Sequence, residues 1–438
     1  MPSVPTFTWS QVEASNSDLS KDKLIVINDK VYSIGGDFVY WHPGGKVALS
    51  QTGRDATGAF DQFHSESVQE VLSDFYLGDI APTERREASS FRKDIEKLQN
   101  EFQKAGLFEA SKIYYFFKVL FNISLWAAAV SILHIFGHNT YGVLISASIL
   151  AIFWQQCGWL AHDFLHHQVF KNRTLNNYMG IFVGNICQGF SVSWWKNKHC
   201  THHSMPNVHL IDTDIDTMPF LAWSEHALEF FNDLTDKQAA KFLVSYQPIL
   251  YFPILTLARL SWAFASIIYC ITTPSTLFET SIFLFVERFS LLMHWGWYLF
   301  ISFYYLSPMM AIVYIFVSQA ICGFLLAIVF SINHNGMPIL DTKEASKVDF
   351  YEMQVMTGRD VTSNIFNDWF TGGLNYQIEH HIWPTLPRHN FHLVTEKVQS
   401  LCKKHNVPYH STSLVNGVNE IIQRLDKISK LAKKTKFQ

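Results

Sequence analysis

WQQCGWLAHDFLHHQVF, residues 154–170, joins the end of an apolar run to a crowd of histidines, and that junction decides how the rest of the chain reads. Working upstream, residues 142–160 are apolar over about the 20 residues that a membrane-crossing helix needs. Downstream, His162, His166 and His167 fall within six residues. Titratable side chains therefore sit where a span would leave the hydrocarbon. The pattern recurs in SWWKNKHCTHHSMPNVH (193–209), in NHNGMP (333–338) after another apolar run, and in FTGGLNYQIEHHIWPTLPRHN (370–390).

Of the 20 histidines, nine lie in tight groups within these stretches: His162, His166, His167, His199, His202, His203, His334, His380 and His381. On a helix, positions i, i+3 and i+4 share a face, so His199, His202 and His203 point together, as do His162 and His166. Converging imidazoles repel one another once protonated. Metal ions remove that conflict because they bind the neutral ring. Eight or nine nitrogens are too many for one ion and suit two. Zinc accepts imidazole but usually takes only four ligands. Of the other eleven, nine are scattered and read as packing or surface residues.

Other apolar candidates run near 119–137, 178–192, 247–271, 281–306 and 309–332. The 178–192 stretch is short and holds Asn185 and Gln188, so it reads as interfacial or re-entrant. If all the histidine groups build one site, an even number of spans separates residues 203 and 334. The 247–271 stretch, with Pro248, Pro253 and a costly Arg259, is then the one left on the surface. Four spans follow (119–137, 142–160, 281–306, 309–332), with both termini cytosolic. Lys171, Arg173, Lys196 and Lys198 fall on the side that the positive-inside rule requires. Hydrophobic residues make up 48% of the chain and charged ones only 16%, well below the roughly 25% of soluble domains. A net charge of −3 gives no footing for nucleic acid. The six scattered cysteines make no disulfide framework, and Cys200 reads as filler between histidines. Trp154, Trp159, Trp194, Trp195, Trp295 and Trp297 suit an interfacial aromatic belt better than an acyl tunnel.

The ends differ in kind. Residues 1–82 read as a small soluble α+β domain, with strand-like Leu24–Ile27 and Lys30–Ser33 around the turn formers Asn28 and Asp29. The mixed polar start lacks a signal-peptide core, which predicts a cytosolic N-terminus. His42 opens His-Pro-Gly-Gly (42–45), and His64 follows in an apolar, acidic stretch. Two imidazoles on loops, with Leu49, Phe60, Phe63, Val68, Val71, Leu72 and Phe75 as crevice walls, suit a b-type haem. Residues 83–115 form an amphipathic linker, with Phe91, Ile95, Leu98 and Phe102 on one stripe. Residues 116–438 follow as an all-α membrane domain, its spans capped by cytosolic helices. The tail lysines (Lys427, Lys430, Lys433, Lys434, Lys436) suit either anionic lipid or open solvent. Asn122 and Asn172 match glycosylation acceptors, but the expected topology keeps both on the cytosolic side.

Residues 7–80, with HPGG, His64 and the YLGDI ending, resemble cytochrome b5. The whole chain resembles the front-end membrane fatty-acid desaturases, most like the fungal delta-6 enzymes. The resemblance rests on HDFLHH, HCTHH, DIDTMP, NHNGMP and QIEHH, whose Gln377 replaces a leading histidine. It implies His42 and His64 as axial ligands of one haem b. It also implies a di-iron site on His162, His166, His199, His202, His203, His334, Gln377, His380 and His381, with His167 competing with His166. The implied activity is O2-dependent insertion of a cis double bond between an existing double bond and the carboxyl end, on linoleoyl or α-linolenoyl chains. Electrons would come from NADH through a cytochrome b5 reductase, and the substrate would be a membrane lipid or acyl-CoA at the endoplasmic reticulum. Delta-5 desaturation, sphingolipid long-chain-base delta-8 desaturation and lipid hydroxylation share this constellation. A metal transporter would instead place its ligands within the spans.

Overall fold

The computed structural model describes residues 4–434 apart from 18–21, 43, 65–67, 233–235 and 274–279, so Pro43 and Lys436 lie outside the described residues. In the N-terminal unit, Leu24–Ile27 pairs antiparallel with Lys30–Ser33 across a two-residue turn. Asn28 and Asp29 both take positive φ there (50° and 61°), which matches the twist of the strands they join. Tyr76–Ile80 adds on the far side of Lys30–Ser33, and Thr6–Phe7 closes the sheet in parallel. All four residues of Leu24–Ile27 are buried, because both faces of the sheet are covered. Trp9 and Val12 pack with Leu24 and Val26 on one face. Phe38, Leu49, Phe60, Leu72 and Phe75 gather around Ile25 and Ile27 on the other. Val71, expected in the crevice, is exposed instead.

Helix Ser90–Lys104 buries Phe91, Ile95 and Phe102. That stripe docks on the C-terminal part of the chain, in one cluster with Trp383, Phe391, Val394 and Val398. An apolar face already covered in this way has no need of lipid.

Among the described residues, three helices are long and apolar enough to cross a membrane: Lys112–Phe136, Thr140–Leu165 and Pro308–His334. The expected span 281–306 is one continuous helix, Ser281–Tyr305, but it is not among these three. It carries Glu287, Arg288 and His294 amid its aromatic residues. The 247–271 stretch is two helices, Gln247–Leu255 and Ala258–Thr272, bent by 64° between them, which fits either a broken span or a re-entrant loop. The 178–192 stretch is an α-helix, Arg173–Gly180, running into a π-helical turn, Ile181–Gln188. Gly189 reverses the chain at φ 95°, and a Cβ there would lie 2.4 Å from the His294 ring, so no larger residue fits. Helix Val192–Ser204 then carries the second histidine group.

Arg259 explains why a cation is tolerated among apolar helices. Its guanidinium donates to the Gln188 carbonyl at the end of the π-helical turn, to the Gln319 side chain and to His294. It also lies 3.6 Å over the Trp154 ring. One side chain thus ties the turn before helix Val192–Ser204 to three other helices. Trp154, Trp159 and Trp195 are buried in the core and not in an interfacial belt, because helix packing excludes lipid from them.

Arg259→Met should cost about 2 kcal/mol or more by orphaning the Gln188 carbonyl and the Gln319 amide. A lowered thermal unfolding midpoint in detergent checks this; an unchanged midpoint would contradict it.

Candidate metal centre

The ends of helices Thr140–Leu165, Val192–Ser204 and Pro308–His334 meet at helix Gln377–Ile382. This brings eight buried imidazoles together. His162, His166, His199 and His380 form one group, with ring nitrogens within 4.8 Å of one another. His202, His334 and His381 form the second. His203 links them: its Nε2 lies 3.1 Å from Nε2 of both His199 and His380, and its ring stacks on His381 at 4.1 Å. Gln377 joins the second group, with Nε2 2.7 Å from His334 Nε2, while its Oε1 accepts from Asn333 at 2.8 Å. His167 belongs to neither group. It sits just past the helix end at φ 59°, and burial, then Lys196 and Arg173, lower its pKa to about 2.

The chemistry of this donor set fits metal ions. Burial first, then the neighbouring rings, holds His166, His199, His203, His380 and His381 well below the usual histidine range, so each offers a neutral lone pair. Nε2 of His162, His166 and His381 is buried without a hydrogen-bond partner. The opposite nitrogens of several rings are anchored. His202 Nδ1 meets Asp212 at 2.8 Å, His334 Nδ1 the Thr357 carbonyl at 3.1 Å, and His381 Nδ1 the Gln354 side chain at 2.8 Å. Such anchoring fixes the tautomer and aims Nε2 inward. Burial opposes charge on His202, but Asp212 beside it prevails and raises its pKa.

Around the rings, Arg388 pairs with Asp163 at 2.9 Å, and Asp163 lies 3.8 Å from His162 Nδ1. Asp214 pairs with Lys198 at 3.0 Å and lies 3.8 Å from His202. Glu379 and Asn375, close in sequence to the ligands, turn elsewhere: Glu379 to Tyr409, Asn375 to Thr371 and Asp368. Trp195 stacks on His199 at 4.2 Å between ring centres. Gln354 and Thr357 carry no sequence signal that separates them from ordinary helix residues. Arg388 stood in the quoted 370–390 block without a role.

An apolar cavity of about 300 Å³ lies between helices Lys112–Phe136 and Thr140–Leu165, the Ile181–Gln188 turn and Trp297. Phe153, Cys157 and Leu160, on the helix that carries His162, line it together with Val183 and Trp297.

In the N-terminal unit, His42 and His64 present Nε2 atoms to each other at 3.4 Å. Phe38 stacks on His42 and Phe60 on His64. His64 Nδ1 is held by the Phe60 carbonyl at 3.0 Å, which leaves its Nε2 free. Burial, then His64, pushes His42 down to about 4. Two neutral imidazoles facing across an aromatic-walled crevice fit the axial positions of a haem. This unit sits on the histidine cluster. Ser50 and Gln51 bond Ser204, which directly follows His203, at 2.8 and 2.7 Å. Gln62 donates to the carbonyl of His381.

Comparison with known proteins agrees with both halves. Residues 138–413 match the model of the fatty acid desaturase family, and residues 8–81 match the cytochrome b5-like heme/steroid binding domain. The chain is 37% identical to an acyl-lipid (9-3)-desaturase of Physcomitrium patens, covering 98% of this chain and 79% of that one. It is 35% identical to a Delta(8)-fatty-acid desaturase of Euglena gracilis and 32% identical to a Delta(6)-fatty-acid desaturase of Caenorhabditis elegans, covering 91% of this chain and 94% of each relative.

In the metal-free protein the five depressed histidines bind protons on unfolding, so stability is full above about pH 6.5 and falls as pH drops below it. His202, with its raised pKa, works the other way, losing its contribution as pH rises, but it is one against five. The unfolding midpoint followed between about pH 8 and 5 checks the sign; a rise on acidification would contradict it. Asp212→Asn should weaken metal retention about 10- to 100-fold in chelator competition by removing the charge behind His202. Wild-type retention would mean that Asp212 does not support the site.

Proposed function

The chain belongs to the fatty acid desaturase family with a cytochrome b5-like domain fused at its N-terminus, and on that premise we propose that it is an O2-dependent front-end acyl desaturase of delta-6 type. It would insert a cis double bond between an existing double bond and the carboxyl end of linoleoyl and α-linolenoyl chains. One observation carries the reading: two adjoining groups of buried imidazoles sit at the ends of apolar helices, against a docked domain that carries a haem-type histidine pair. Relatives named for the 9-3, Delta(8) and Delta(6) positions support the front-end class more strongly than the particular carbon.

Bound irons would supply the O2 activation and C–H oxidation that no side chain achieves. His162, His166, His199 and His380 would hold one, His202, His334 and His381 the other, with His203 between them and Gln377 as a weak neutral donor. Asp212, Gln354 and the Thr357 carbonyl keep the rings of the second group aimed. The apolar cavity beside Cys157 and Leu160 offers room for part of an acyl tail. His42 and His64 would hold the haem, which receives electrons from NADH through a reductase. The chain would lie in the endoplasmic reticulum membrane on four spans, the bent pair 247–272 being re-entrant, with both termini and the site cytosolic.

Expression in cells that lack polyunsaturated lipids, fed linoleate and followed by gas chromatography of fatty acids and long-chain bases, tests this. A new double bond on the carboxyl side of the linoleate bonds is expected. Hydroxylated products, or desaturated long-chain bases alone, would favour the sister activities and contradict the proposal. His380→Ala should abolish the product. His42→Ala should retain non-haem iron yet stop turnover, and normal turnover would mean that the fused domain is not the donor.

A further inference from the structure

One of the contacts between the two domains reaches the backbone of a histidine group itself, beside others such as Arg54 to the Thr342 carbonyl. Gln62 stands two residues before His64, on helix Thr57–Phe63. Its amide donates to the carbonyl of His381, whose ring belongs to the second histidine group. Both Nη atoms of Arg173 reach the neighbouring Phe63 carbonyl at 3.3 Å, so the chain is also pinned between Gln62 and His64. The parallel contact, Ser50 and Gln51 to Ser204, begins eight and nine positions beyond His42 and ends beside His203. It connects the domains through a longer covalent detour. From His64 to His381 the link is two peptide units, one side chain and one hydrogen bond.

We propose that Gln62 is the residue through which electrons enter the metal centre, a positioning residue that couples the His64 loop to His381 through its side-chain hydrogen bond. The proposal rests on the assignment of non-haem iron made above. Each passage oxidises one ferrous haem to ferric and reduces one ferric non-haem iron to ferrous, with no bond made or broken. Two passages serve each double bond, and a flavoprotein reductase restores the ferrous haem each time. Gln62 itself is neither oxidised nor reduced: it shortens the gap and holds the two histidine-bearing segments in register.

The test uses full-length holoprotein without oxygen. The haem is reduced by substoichiometric dithionite while the non-haem iron is ferric, and haem reoxidation is followed by stopped-flow absorbance. Gln62→Met keeps the side-chain volume and removes the donor. It should slow reoxidation about tenfold or more, with haem spectrum, iron content and haem reduction by added reductase unchanged. A Ser50→Cys/Ser204→Cys disulfide, built where the two hydroxyls lie 2.8 Å apart, keeps the domains docked. Added to Gln62→Met, it should leave the rate slow. An unchanged rate in Gln62→Met, or full recovery in the tethered variant, would overturn the proposal, the latter by showing that Gln62 merely holds the domains together. Should Gln62→Met lose haem, Gln62→Asn, too short to reach the carbonyl, carries the same expectations. If the wild-type haem is not reoxidised at all, the reading of the metal centre fails, which is a separate outcome.

Discussion

Eight buried imidazoles meeting in one place cannot all be charged, and burying them uncharged leaves lone pairs with nothing to accept. Everything else in the structure depends on this conflict. A polar cluster that proteins otherwise avoid is held together here by helix ends, and within each of its two groups the ring nitrogens lie within 4.8 Å of one another. Metal ions resolve the conflict because they need neutral nitrogen, which is the state that burial enforces. Binding free energy would thereby become folding free energy, so the cluster is at once the site and part of the core.

The surrounding architecture keeps that cluster aimed. Helix Val192–Ser204 carries three of the rings, and its start is set by a left-handed glycine packed against His294 and a π-helical turn whose last carbonyl is held by Arg259. At the other end, Asp212, Gln354 and the Thr357 carbonyl hold the outer nitrogens. Arg388 reaches back to Asp163 on the first histidine helix and also donates to the Gly372 carbonyl at 2.9 Å. The haem-type domain then rests on Ser204 and His381, so the two histidine sites share a border of hydrogen bonds.

Much of this was legible in the sequence because its signals are local. The Leu24–Ile27 and Lys30–Ser33 hairpin follows from Asn28 and Asp29, and the histidine groups follow from helical spacing. The stripe of helix Ser90–Lys104 follows from its period. What escaped the reading is tertiary. Whether His166 or His167 turns inward depends on one left-handed residue past a helix end. The tryptophans suited a lipid interface by composition, yet Trp195 stacks on His199 and Trp154 lies under Arg259. Gln354 is an ordinary helix residue until the fold brings it beside His381. Helix Ser281–Tyr305 is diluted by Glu287, which turns inward to accept from the Ser191 hydroxyl at 2.6 Å and the Ser193 N–H at 2.9 Å.

The central claim is that the imidazole cluster holds a pair of irons distinct from the haem. Elemental analysis of the purified full-length chain, with haem quantified separately as its pyridine complex, tests it most directly. The account predicts about two non-haem irons for each haem and little zinc. Haem iron alone, or zinc in the cluster, would contradict it.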